Sequence, residues 1–127
     1  MKRYSKHQLY KRASELNIKN DISLFFSQTL FHRFSCDLFC RVNEIELKDS
    51  SAIYLIDKII SLLIKHKNKF LKSTKILIHF SIDEQFPFEA MQKIMYSIHH
   101  HTNEDCSVMM SINYTNERFE KVVVLFG

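Results

Sequence analysis

The sequence predicts an α+β domain of two layers. Two N-terminal helices are followed by a β-α-β-α-β-β order that builds a mixed four-stranded sheet packed by helices. Three observations carry this expectation. Stripes of apolar residues at helical spacing alternate along the chain with shorter runs of strand period. The run from Ile76 to Ile82 is apolar at nearly every position, as an interior strand is. The last two strand-like runs are separated only by the polar turn Thr115 to Glu117. A β-α-β unit favours parallel neighbours through a right-handed crossover, and the closing pair favours a hairpin. At 127 residues the chain reads as one domain: residues 1–20 a basic N-terminal helix, 21–35 a Phe-rich helix and 36–127 the β-α-β-α-β-β core.

Ser5 and Gln8 have the spacing of a capping box, opening a helix with Leu9, Ala13 and Leu16 on one side. Residues 17–21 read as a break, with Asn20 or Asp21 capping the second helix. Ile22, Phe25, Phe26, Leu30 and Phe34 form its stripe. Cys36 to Leu47 reads as a strand. Cys36, Leu38, Cys40 and Val42 share one phase and Ile45 and Leu47 the other, which predicts a bulge or break near Asn43-Glu44. Asp49 or Ser50 is expected to cap a helix from Ser51 to about Lys67, apolar around more than half its circumference and therefore buried on a wide face. After the strand at 75–82, Pro87 suits a first helical position, with Met91, Ile94, Met95 and Ile98 inward. Cys106, Val108, Met110, Ile112 and Tyr114 alternate along the next strand, and Arg118 to Phe126 is the last.

Glycine occurs only at Gly127, which excludes the glycine-rich loops whose backbone N–H groups cradle phosphates. The net charge of +4 is unevenly placed. Lys2, Arg3, Lys6, Lys11, Arg12 and Lys19 face only Glu15 in the first twenty residues, and Lys65, Lys67, Lys69, Lys72 and Lys75 form a run without an acid. Such clusters suit nucleic acid, an anionic membrane or an acidic protein surface, and equally a plain solvated face. Cys36, Cys40 and Cys106 lack Cys-x-x-Cys spacing, and no apolar stretch reaches the roughly 20 residues that span a bilayer. The expectation is a reducing, cytoplasmic setting with the cysteines acting as small hydrophobes.

Few groups invite chemistry. His99, His100 and His101 are consecutive, so on a helix they diverge by about 100° each instead of converging on an ion, and no metal or cofactor is expected. His79 in its apolar strand reads as a hydrogen-bonded core histidine or an acid–base group. Cys36 and Cys40 with His32 lack an oxyanion hole. Asp83-Glu84 sits at the end of a strand, where ligand sites collect, and where acids also begin helices.

Residues 74–127 resemble the end of the C-terminal domain of the FtsZ/tubulin family. The resemblance lies in Ile76-Leu77-Ile78-His79-Phe80, then Pro87-Phe88-Glu89 through His101, the strand Ser107 to Ser111, the Asn-rich acidic turn Asn113 to Glu117, and Lys121-Val122-Val123-Val124-Leu125. Residues 36–67 fit more loosely. The family's glycine-rich GTP-binding half has no counterpart, which implies neither GTP binding nor filament formation by this chain alone. The family's Asn-x-Asp-x-x-Asp loop touches the next subunit's nucleotide. Its counterpart here begins at Asn17, but Lys19 and Ile22 occupy the acidic positions and Asp21 is displaced, so the catalytic role is not carried over.

The resemblance implies a non-enzymatic binding or regulatory protein that docks onto FtsZ or a related division or filament protein. Asn17, Lys19, Asn20 and Asp21 would form the contact, with Lys6, Lys11 and Arg12 steering. Two alternatives stay open. One is a nucleic-acid-binding module using Lys2, Arg3 and the Lys65–Lys75 segment. The other is a small oligomeric enzyme using His79, Asp83 and Glu84. Self-association is compatible with each.

Overall fold

The computed structural model describes residues 2–18, 42–49, 51–115 and 120–127. The elements are β1 (Lys2–Tyr4), α1 (Lys6–Glu15), β2 (Val42–Asp49), α2 (Ala52–Lys65), α3 (Lys67–Lys72), β3 (Lys75–Ile82), α4 (Phe88–His100), β4 (Ser107–Tyr114) and β5 (Glu120–Phe126). The Phe-rich helix expected at 21–35, and residues 36–41 of the expected strand, lie outside the described residues. The α+β class and the β-α-β-α-β-β order after the N-terminal part stand.

The sheet has five strands in the order β1-β2-β5-β3-β4. The fifth strand is β1, which pairs antiparallel with Val42 to Glu44 of β2. Three residues are too few to carry a visible alternation, so the sequence hides it within the basic N-terminal helix. β3 and β4 are parallel neighbours joined through α4, as the β-α-β expectation has it. The hairpin expectation fails. β5 lies between β2 and β3, antiparallel to both, and β4 takes the edge. Burial explains the choice. All of β3 and Val122 to Phe126 of β5 are buried, whereas β4 is largely exposed, so the two continuously apolar strands take interior places.

Helices cover both faces, so the two-layer picture gains a partial third layer. On one face α2, α3 and α4 enclose Leu55, Ile59, Phe70, Ile94 and Ile98 against Ile78, Phe80 and Val124. On the other, α1 sets Leu9, Ala13 and Leu16 against Val42, Leu77, Val123 and Leu125. Each such fully buried aliphatic side chain contributes roughly 1.5–3 kcal/mol relative to exposure. The two covered faces also explain the phase change in β2. Its pairing with β5 runs unbroken from Asn43 to Asp49, with no bulge at Asn43-Glu44. Val42 belongs to the α1 face and Ile45 to the other, so each phase marks a face.

Local signals are honoured closely. Ser5 and Gln8 form the reciprocal capping box, Ser5 N–H donating to Gln8 Oε1 at 3.0 Å and Gln8 N–H to Ser5 Oγ at 3.5 Å. α1 stops at Asn17, whose φ of 59° is left-handed. Ile18 N–H then donates to the Ala13 carbonyl and Asn17 N–H to that of Ser14, the double closure of a Schellman motif. The cap of α2 is Ser51 rather than Asp49 or Ser50, and Asp49 Oδ1 accepts from Ser51 N–H at 3.1 Å to hold the turn. The wide buried face expected for α2 is narrower. Leu55, Ile59 and Leu63 are buried, while Ile53 is 71% exposed and Ile64 60%. One sheet face is shared by three helices, which leaves each only one stripe to bury.

A basic hollow floored by a buried ion pair

The first-turn geometry of α1 decides where the N-terminal cations go. Ser5 is the only residue between β1 and α1, so the helix folds straight back over the sheet edge. The apolar stripe of α1 faces the sheet, which leaves Lys11 exposed and Arg12 half-buried above β2. Tyr4, opposite Val42, and Lys2, opposite Glu44, complete the wall. The result is an open hollow of about 450 Å³ lined by Lys2, Arg3, Lys11 and Arg12, with Tyr4, Gln8 and Glu15.

Two of the lining side chains, Tyr4 and Arg12, are anchored from behind by Glu44, which is 2% exposed. Arg12 Nε donates to Glu44 Oε1 at 2.6 Å, and the Tyr4 hydroxyl donates to Glu44 Oε2 at 2.9 Å. The remaining guanidinium nitrogens reach Glu15 Oε2 and Glu46 Oε2, each at 3.1 Å. Burial works against the charged guanidinium, but hydrogen bonding and charge from Glu44 outweigh it and hold Arg12 more firmly protonated than usual. Burial, and then the hydrogen bond to Glu44, push the Tyr4 phenol up to about 12. Arg12 is thus a structural cation, spoken for by three carboxylates. Among the described residues no acid pairs with Lys2, Arg3 or Lys11, so the rim of the hollow presents positive charge to solvent.

Four of the basic residues singled out in the sequence, Lys2, Arg3, Lys11 and Arg12, therefore meet in one place. Lys6 is the first residue of α1. Asn17 is exposed at the far end of α1, where its backbone conformation ends the helix. Lys19, Asn20 and Asp21 lie outside the described residues. The second basic run does not join the first. Lys65 ends α2 and Lys67, Lys69 and Lys72 ride on α3, packed on the opposite sheet face, and Lys75 starts β3 nearly buried. The two clusters are two surfaces rather than one.

The other chemical candidates are occupied in ordinary ways. His79 is buried, its Nδ1 3.2 Å from Ser111 Oγ and its Nε2 3.3 Å from Ser81 Oγ. Asp83 Oδ1 accepts from Gln85 N–H at 2.8 Å, and Asp83 N–H donates to Glu120 Oε2 at 3.1 Å, so Asp83 shapes the turn into α4. Glu84 is exposed in that turn. Burial pushes the Cys106 thiol up, away from the thiolate that reactivity needs. Cys36, Cys40 and His32 lie outside the described residues. At the end of α4, His100 stacks on Tyr96 and His101 Nδ1 lies 2.7 Å from the Ser97 carbonyl oxygen. Among the described residues no three metal-ligating side chains cluster, and no helix is long and apolar enough to cross a membrane.

Sequence reasoning missed Glu44 and Glu46, while Tyr4 stood out only as an aromatic interleaved with the basic cluster. The available signal was Glu44 itself, an acid in phase with Val42 on a face that proves to be covered, read instead as a break.

No family model and no curated protein matches the sequence. Solved structures do match in fold. A mutant FtsZ from M. jannaschii aligns over 97% of this chain and 41% of its own, with 12% identity and a TM-score of 0.55. An empty FtsZ dimer from M. jannaschii aligns over 67% of this chain and 26% of its own, with 13% identity and a TM-score of 0.50. Thiamine monophosphate kinase from Aquifex aeolicus aligns over 68% of this chain and 33% of its own, with 9% identity and a TM-score of 0.45. The chain spans well under half the length of the FtsZ chains it matches, and at these identities the likeness is one of fold. The mixed five-stranded sheet with helices on it is a partial FtsZ-like fold, of the kind expected from the C-terminal domain.

Proposed function

We propose that this protein is a non-enzymatic binding module that docks onto FtsZ or a related filament protein and modulates its assembly, using the basic hollow between β1 and α1. The observation that supports this reading is the arrangement of Lys2, Arg3 and Lys11 around an Arg12 that Glu44 fixes in place. A rim of exposed cations, Lys2, Arg3 and Lys11, attracts a carboxylate-rich segment at long range and needs little shape matching. The fold-level likeness to FtsZ supplies the class of partner, and the hollow supplies the chemistry of its docking segment, an acidic peptide. The hydroxyl of Tyr4 is committed to Glu44, which leaves its ring less free to stack on a base and weighs against single-stranded nucleic acid in the same hollow.

The test is an affinity capture of the tagged chain from its own lysate, with and without nuclease, followed by titration of any recovered filament protein. The expected result is nuclease-resistant capture of an FtsZ-type protein, weakened at least tenfold by the double charge reversal Arg3→Glu with Lys11→Glu and weakened by salt. Capture that vanishes with nuclease sinks the reading and moves nucleic acid to first place.

A further inference from the structure

The second basic run forms a surface of its own. From Lys58 to Ile82 the chain contains no Asp or Glu. Within that stretch α2 ends at Lys65 and α3 starts at Lys67, with only His66 between them. The His66 N–H donates to the Leu62 carbonyl, and the His66 carbonyl accepts from the Lys69 and Phe70 N–H groups, so the two helices abut in a tight corner. Phe70, stacked on Phe126, fixes that corner to the sheet.

Leu63 and Phe70 are the last buried residues of α2 and α3. Ile64 and Leu71 each follow one of them, so each projects about 100° further round its helix, on the same side of the core contact. They are 60% and 42% exposed. Lys65 and Lys72 come one residue later and point away from the core, and Lys67 precedes Leu71 by one helical turn. Lys65, Lys67, Lys69 and Lys72 are all exposed, and among the described residues no acid pairs with any of them. His66 is held below the usual histidine range, by burial first and then by the charge of Lys65 and Lys69. The corner thus interleaves unpaired cations with bare aliphatic side chains.

We propose that this corner is a peripheral membrane-binding surface, taking an anionic phospholipid bilayer with Ile64 and Leu71 set into its interface. Charge complementarity and the two aliphatic side chains together select the occupant. A nucleic-acid backbone offers the lysines partners but gives Ile64 and Leu71 nothing apolar to meet. Residues 64–72 also contain no arginine, and their one phenylalanine is buried, so they provide neither bidentate reading of bases nor a stacking ring from phenylalanine. An acidic protein surface matches the lysines and leaves the same two side chains in water. In a bilayer the anionic headgroups lie directly over hydrocarbon. Lysine stems can then run along apolar surface while their ammonium groups stay among the headgroups, beside buried aliphatic tips. The basic hollow is built with α1 on the other face of the sheet, which makes the two surfaces separately testable.

Co-sedimentation of the full chain with large vesicles tests this, using phosphatidylcholine alone or with about one-third phosphatidylserine. The expected result is binding at least about tenfold tighter to the serine-lipid vesicles, weakened by salt. Lys67→Glu with Lys69→Glu is expected to weaken it at least about tenfold, since each lysine near an anionic surface is worth roughly fivefold. Ile64→Gln with Leu71→Gln keeps the net charge and helix propensity and is expected to weaken it about fivefold. Lys2→Glu with Lys11→Glu makes the same change in net charge at the hollow and is expected to weaken it by less than about threefold. Circular dichroism checks that each variant folds, and Lys67→Gln with Lys69→Gln replaces the glutamate pair if that pair does not. A wild-type chain without preference for the anionic vesicles overturns the proposal, including one that binds an oligonucleotide through Lys67 and Lys69 instead. So does undiminished binding by the Ile64 and Leu71 variant, which makes the surface a general polyanion site, or an equal loss from the reversal at Lys2 and Lys11.

Discussion

Arg12 Nε lies 2.6 Å from Oε1 of Glu44, a contact that joins α1 to β2 across 32 residues of sequence beneath an open basic hollow. The carboxylate is buried and has only two donors among the described residues, Arg12 and Tyr4. Arg12→Ala leaves a buried charge held by one phenol, and is expected to cost about 3–5 kcal/mol in urea denaturation. The paired change Arg12→Met with Glu44→Leu removes both charges and is expected to recover most of that loss, since the half-buried Tyr4 hydroxyl can turn to water. A double variant as unstable as Arg12→Ala alone shows that the pair is not the source of the effect.

Tyr4 gives this site a pH signature. Its phenol is raised from 10.0 to about 12, so the folded state favours the neutral form more than the unfolded state does. The stabilisation is complete below the unfolded value and is lost as pH rises from about 10 through 12. Stability is therefore expected to fall across that alkaline window, and Tyr4→Phe to flatten part of the fall. A spectrophotometric titration in which Tyr4→Phe removes a normally titrating phenol, rather than a late one, contradicts the hydrogen bond to Glu44.

Where sequence signals are local, the chain declares its structure. The capping box at Ser5 and Gln8, the largely apolar strand around Ile78, and the inner stripe of α4 at Met91, Ile94 and Ile98 are each visible within a few residues and each is present. What escaped was set by distance. β1 exists because Lys2 to Tyr4 find Val42 to Glu44, about forty residues on, and no local pattern announces a partner so remote. The place of β5 was legible in principle, since Val122 to Phe126 is too apolar for an edge, but the short turn before it suggested a hairpin. The candidate site divides the same way. Its cations Lys2, Arg3, Lys11 and Arg12 stood out as a cluster, while the acid that organises them, Glu44, comes from another element and was read as a break in a strand.

Asn17 offers a test of the α1 terminus that is independent of the ion pair. Its φ of 59° places it in the left-handed region, where a Cβ crowds the following carbonyl. Glycine adopts this conformation without that penalty, so Asn17→Gly is expected to be neutral to stabilising by about 1 kcal/mol. Asn17→Val adds a branched Cβ and is expected to destabilise by roughly 1–2 kcal/mol. Thermal melts ranking Gly above Asn above Val fit the Schellman closure. Equal stability of all three removes it as a constraint.

The rings of Phe70 and Phe126 stack with centroids 4.2 Å apart and an interplanar angle of 21°. Phe70 comes from α3, a helix of six residues, too short to be stable by its own backbone bonds. Phe126 ends β5, and the chain beyond it is tied down as well: Thr74 N–H and Lys75 N–H donate to the Gly127 carbonyl. Both rings are fully buried, so the stack fastens α3 to the central strand at the point where β3 begins. Phe70→Ala is expected to cost about 3–5 kcal/mol, and Phe70→Leu, which keeps most of the volume and loses the ring contact, less than half of that. Hydrogen exchange locates the loss. Protection should fall first in α3 and around Thr74 and Lys75, while α1 and its capping box keep theirs, because they belong to the core on the other face of the sheet. A uniform loss across both faces shows instead that the two cores unfold as one unit, with the continuous strands β3 and β5 coupling them.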